Sequence, residues 1–221
     1  SFNNPEAEFP QVKNSDYIFK AEELGHPLIP KVERVDNEVG VKVKGFSIIT
    51  GANMAGKSTY LRTIGVNLIL GMIGAPVCGR GITISPIQLY TSIRTDDSLQ
   101  KNESYFYSEL KRLKAIIDEL KKGTKLFIIL DEILRGTNSK DKHAGSEALL
   151  KQLIDLKASG IIATHDVALG NLEKSFPEHI KNRCFEVDIN GSVLSFDYKL
   201  RDGVSKNMNA TILMREMGIT V

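Results

Sequence analysis

Apolar and polar positions alternate along this chain with two periods, and glycines tend to mark the change from one to the other. Residues 39–44 (VGVKVK) alternate as a half-buried strand should and run directly into the short apolar run 46–50. From residue 57 to about 73 the spacing is helical, and the apolar stretch around 65–78 is too short and too glycine-broken to span a bilayer, so it reads as a buried core helix. Residues 79–84 and 88–93 read as two more strands separated by Pro86. Phe106, Leu110, Leu113, Ile117 and Leu120 then recur at helical spacing, with Lys111, Arg112, Lys114 and Lys121 on the other faces. The unbroken run 126–130 (LFIIL) predicts a central strand covered on both faces, followed by a helix over about 142–156 and a short strand at 161–163. Such alternation predicts an α/β fold with a mostly parallel central sheet flanked by helices, whose ligands collect at the carboxyl ends of the strands. Because strand 39–44 leads straight into 46–50, the loop after residue 50 is expected at a sheet edge.

The two ends differ in character. Residues 1–31, rich in Pro, Asn and Glu, read as a lead-in with a helical candidate at 16–24 and a turn at Gly25-His26-Pro27. Near the C-terminus, Phe185, Val187 and Ile189 alternate, and Asn190-Gly191 has the residues of a type I′ turn. This predicts an antiparallel hairpin with Val187 opposite Leu194 and Phe185 opposite Phe196. Residues 208–217 form a last helical segment whose Met208, Ile212, Met214 and Met217 read as core filling. The expected organisation is one domain over 1–221, with a core at 39–175 and a hairpin and helix at 184–217.

Composition narrows the classes. With 221 residues and 42% hydrophobic content the chain can bury one substantial core. A formal charge of +2 is too balanced to announce a nucleic-acid groove by electrostatics alone. Cys78 and Cys184 form neither a disulfide framework nor a metal pattern, which makes a reducing, cytoplasmic setting the default. No secretory signal is visible. A chain that opens on Ser1 is expected to be a piece of a longer protein.

The chemistry centres on FSIITGANMAGKST, residues 46–59. Gly51, Gly56, Lys57 and Ser58 satisfy G-x-x-x-x-G-K-[ST] between a strand and a helix, the context that a phosphate-binding loop requires. Backbone N–H groups of Gly51, Ala52, Asn53, Met54, Ala55, Gly56, Lys57, Ser58 and Thr59 would converge on phosphate oxygens at a helix N-terminus. Lys57 would reach the β/γ-phosphates of ATP, and the Ser58 hydroxyl would bind Mg²⁺. The central strand ends in Asp131-Glu132; the first carboxylate is expected to hold Mg²⁺ and the second to orient or deprotonate the attacking water. The strand at 161–163 ends in Thr164-His165-Asp166, which would bring His165 beside the γ-phosphate.

GANMAGKSTYLRT, DEILRGTNSKD, ATHD and DGVSKNMNA together resemble the C-terminal ATPase domain of the MutS family, a branch of the ABC-type P-loop ATPases, from about residue 25 to 217. The family loop reads GPNMGGKST, against Ala52 and Ala55 here, and DEILRGTNSKD stands where the family has DEIGRGTST-x-DG. The departures at Ala55, Leu134 and Asp166-Val167 suggest a divergent branch. The resemblance implies an ATP-hydrolysing homodimer that sandwiches two nucleotides and couples their state to DNA repair through domains upstream of this one. It matches Ser104-Tyr105-Phe106 to a motif that meets the partner's γ-phosphate, and His26-Pro27 to an element near the base. The alternative is a nucleotide-gated dimerisation module that barely hydrolyses ATP. A transporter ATPase is disfavoured because the full LSGGQ signature is missing.

Overall fold

The computed structural model describes residues 6–93, 105–190 and 193–206. From the N-terminal side, β1 (Gln11–Val12), β2 (Tyr17–Leu24) and β3 (Asn37–Lys42) precede β4 (Phe46–Gly51), which leads into helix α1 (Lys57–Met72). Next come β5 (Gly79–Arg80), β6 (Thr83–Ile84), β7 (Gln88–Ser92), α2 (Tyr105–Lys121), β8 (Leu126–Asp131), α3 (Ser139–Asp155) and β9 (Ser159–Thr164). A 3-10 turn over Val167–Asn171 enters α4 (Leu172–Ser175), and β10 (Ile180–Phe185), β11 (Asp188–Asn190), β12 (Val193–Ser195) and β13 (Leu200–Asp202) complete the described elements.

The main sheet runs β13-β10-β4-β9-β8-β7, parallel throughout except for β13. A second mixed sheet, β1-β6-β2-β3 with β5 also on β2, lies apart from it. The whole is a mixed α/β structure. Because side chains alternate across a strand, the main sheet builds two cores at once. Phe127, Ile129, Ile161 and Ile49 face α1 and the second sheet, while Ile128, Leu130, Ile162 and Ile48 face α2 and α3. Both β8 and β9 are buried along their whole length, as the LFIIL run requires. Helix α1 is buried along one side, with Tyr60, Leu61, Ile64 and Leu68 in the core between the two sheets, while Thr59, Arg62 and Ile69 are exposed.

Several expectations are corrected. Residues 16–24 are not helical: Tyr17–Leu24 is a strand, favoured by the adjacent Tyr, Ile and Phe, and two register shifts against β3 obscure its alternation. β3 and β4 do not form one edge. They belong to different sheets, the chain turning through Lys44 in a left-handed conformation (φ 60), and β4 lies inside the main sheet between β10 and β9. Residues 79–84 are broken into two short strands by Gly81 (φ 65). Helix α3 starts earlier than residue 142 because the Asn138 side chain accepts from the backbone N–H of Asp141 at 2.9 Å and caps it.

The hairpin forms in another register. Asp188 pairs with Ser195, Ile189 with Leu194 and Asn190 with Val193, so Leu194 stands opposite Ile189 and not Val187. Phe185 is instead drawn into the main sheet, opposite Gly51 and Leu200. The predicted helix at 208–217 lies outside the described residues. No helix among the described residues is long and apolar enough to cross a membrane.

Candidate functional site

The parallel register brings the ends of three strands together. Thr50 pairs with Thr164 and Asp131 with Ala163, and the N–H of Glu132 extends the ladder to the Ala163 carbonyl at 2.9 Å. The residues just beyond, Ala52, Glu132 and His165, therefore share one cleft of about 530 Å³ with Lys57, Ser58 and Asp131.

The loop conformation explains its glycines. Gly51 has φ 150, and a Cβ there would stand 2.6 Å from the Phe185 carbonyl oxygen; Gly56 has φ 107 and packs against the Tyr198 ring. Met54 takes a left-handed conformation (φ 66) and is exposed, whereas Ala55 is buried in the core. Gly56 offers no side-chain cap to α1, so the first-turn N–H groups meet the cleft with the positive end of the helix dipole behind them. Lys57 is only 6% exposed, and its ammonium donates to the carbonyls of Gly51 (2.6 Å) and Ala52 (2.8 Å). Burial lowers its pKa to about 8, against the opposing pull of Glu132 and Asp131.

Asp131 and Glu132 are both buried, and Glu132 is left-handed (φ 58). Its carboxylate is ion-paired with Lys142 of α3 and lies 3.5 Å from Nε2 of His165. Burial, followed by the nearby Lys57 charge, lowers the pKa of His165. A carboxylate and a hydroxyl, Asp131 and Ser58, line the same cleft; this is the sparse donor set suited to Mg²⁺, which keeps waters and completes its shell with phosphate oxygens. Among the described residues no cluster of three or more His, Cys, Asp or Glu forms a metal site by itself.

Sequence reasoning missed the residues that hold this site in place. Buried Glu109 of α2 accepts from the N–H groups of Leu134 (2.9 Å) and Arg135 (3.1 Å), fixing the turn after Glu132. Replacing Glu109 with alanine should cost about 1–3 kcal/mol in chemical denaturation, because two backbone donors lose their acceptor. Asn67 of α1 donates to the Gly25 carbonyl and accepts from the Cys78 N–H, anchoring the segment that brings His26 to the cleft. Lys142 carried a signal: it stands where the pattern DEIGRGTST-x-DG ends in glycine. Tyr198 lines the cleft opposite Gly56, far from the loop in sequence. Ser104 lies outside the described residues.

Residues 47–217 match the model of MutS domain V. The chain is similar to human MutS protein homolog 4 (32% identity, covering 83% of this chain and 20% of that protein). It is equally similar to the DNA mismatch repair protein MutS of Thermotoga neapolitana (32%, covering 81% and 23%). The DNA mismatch repair protein MSH4 of Arabidopsis thaliana is 31% identical over 87% of the chain and 24% of that protein. The chain thus spans a fifth to a quarter of the length of these relatives. The MutS-family resemblance thus holds and reaches upstream of residue 47, since these relatives cover 81–87% of the chain, but the placing in a divergent branch is corrected. The domain V model itself takes in the chain from residue 47, and a bacterial MutS and a human homolog 4 match it at the same identity.

Proposed function

Because the chain belongs to the MutS domain V family, we propose that it is the Mg²⁺-dependent ATP-binding and ATP-hydrolysing unit of a MutS-like DNA mismatch repair protein, with a P-loop fold of the ABC type. The observation that carries this reading is the cleft itself, where an uncapped helix N-terminus, a buried lysine and two carboxylates from another strand end face one volume. Loop residues Gly51 to Thr59 hold the phosphates, and Lys57 exchanges its two carbonyl partners for β/γ-phosphate oxygens. Ser58 and Asp131 hold Mg²⁺, which supplies charge neutralisation at the phosphates. The base lies toward Tyr198 and His26. Glu132 takes a proton from water as the new oxygen–phosphorus bond forms at the γ-phosphate; the bond to the bridging oxygen breaks and its electron pair leaves with ADP. Neutral His165 accepts or donates a hydrogen bond beside the departing phosphate.

A single domain over 1–221 acts as one half of an ATP-dependent homodimer in this reading, and Ser104 of each copy covers the other's γ-phosphate. DNA is contacted by parts of the longer protein outside this chain, and the setting is a reducing cytoplasm, consistent with two buried free thiols.

Proton linkage tests the site. Above pH 8 the Lys57 ammonium is partly deprotonated, and a phosphate beside it restores its proton. MgATP binding at pH 8.5 should therefore take up protons, seen in calorimetry as a heat that varies with buffer ionisation enthalpy, and the uptake should fade near pH 7. Binding with no proton uptake at pH 8.5 would move the phosphates away from Lys57.

A further inference from the structure

The two carboxylate oxygens of Glu132 have different company. Its side chain is 9% exposed, Oε1 is ion-paired with Nζ of Lys142, and Oε2 lies 3.5 Å from Nε2 of His165. The last pair is too loose for a strong hydrogen bond, and His165 tends to be neutral because burial and Lys57 disfavour its charge. Lys142 is the closer partner. Its place on the helix is itself secured: the next residue, His143, is held by Nδ1 to Oδ2 of Asp166 at 2.5 Å, beyond the end of β9, and Asn138 caps the helix one turn earlier. The start of α3 is thus tied to the ends of both β8 and β9.

We propose that Lys142 is a positioning residue for hydrolysis: it grips one oxygen of Glu132 so that the other is turned into the cleft as the proton acceptor for the attacking water. A free Glu side chain samples several rotamers, and a base displaced by about 1 Å loses roughly 100-fold in rate. One charged partner on a capped helix removes that freedom while leaving Oε2 open. The ion pair also keeps a buried carboxylate from standing without a counter-charge. The inference rests on the reading of Glu132 as the base.

Lys142→Met should lower kcat roughly 10- to 100-fold while KM and the affinity for MgADP stay unchanged, and Lys142→Arg should keep most of the rate. Lys142→Gln gives the same test with a smaller change in polarity should the Met variant not fold. A readout without nucleotide accompanies it. Lys142→Met should lower the Tm of the free protein at neutral pH, and adding Glu132→Gln should recover part of that loss, because the unpaired buried charge is then gone. Wild-type or faster turnover in Lys142→Met, a loss confined to KM, or an Arg variant as slow as the Met variant each overturns the inference. If Glu132→Gln itself turns over normally, it is the reading of Glu132 that fails, whatever Lys142 does.

Discussion

Glu132→Gln is expected to bind MgATP as well as the native protein and to hydrolyse it roughly 10²- to 10⁴-fold more slowly. The substitution keeps the shape of the side chain and the backbone N–H bond to Ala163 but removes the group able to take a proton. Asp131 and Ser58, the metal-holding pair of the proposed reading, still line the cleft unchanged, so affinity should be nearly untouched. Single-turnover hydrolysis and equilibrium binding, measured together, separate the two effects. Equal losses of binding and turnover would reject the division of roles between Asp131 and Glu132. Native turnover already as slow as that of the variant would favour the module that binds nucleotide and barely hydrolyses it.

Lys57→Met is expected to cost MgATP binding about 2–5 kcal/mol, roughly 30- to several-thousand-fold, without unfolding the protein. Among the described residues its ammonium donates to the loop carbonyls of Gly51 and Ala52, and burial already disfavours its charge. The sign follows from the direction of the shift. A lysine whose folded pKa is lowered destabilises the fold wherever the unfolded chain carries the charge, fully so below pH 8, and this cost fades as pH rises toward 10.5. Removing the charge should therefore leave the neutral-pH Tm of the free protein unchanged or higher, while the Tm gained on adding MgATP disappears. Unaltered affinity by calorimetry would exclude Lys57 from the phosphate site, and a large drop in Tm without nucleotide would show that its carbonyl bonds stabilise the fold.

The sequence by itself determined whatever depends on short-range spacing. Two glycines five residues apart before Lys57 and Ser58, a run of five apolar residues ending in Asp131-Glu132, and helical repeats between strands are local facts, and backbone geometry turns them into a loop, a buried strand and a parallel sheet. Once that sheet exists, the carboxyl ends of β4, β8 and β9 must meet, so Gly51, Asp131 and His165 were legible as neighbours. Tertiary structure alone decided what depends on partners distant in sequence. Tyr17–Leu24 became a strand because β3, β5 and β6 pair with it, overriding a weak local pattern. The hairpin register followed from the pull of Phe185 into the main sheet, where Gly51 and Leu200 hold its backbone. Glu109 on the turn after Glu132, Asn67 on Gly25 and Lys142 on Glu132 join different elements, and each side chain was locally an ordinary polar residue on a helix. Only the packed arrangement reveals which of them must neutralise a buried charge or satisfy a buried backbone group, because that cost arises when water is excluded from around them.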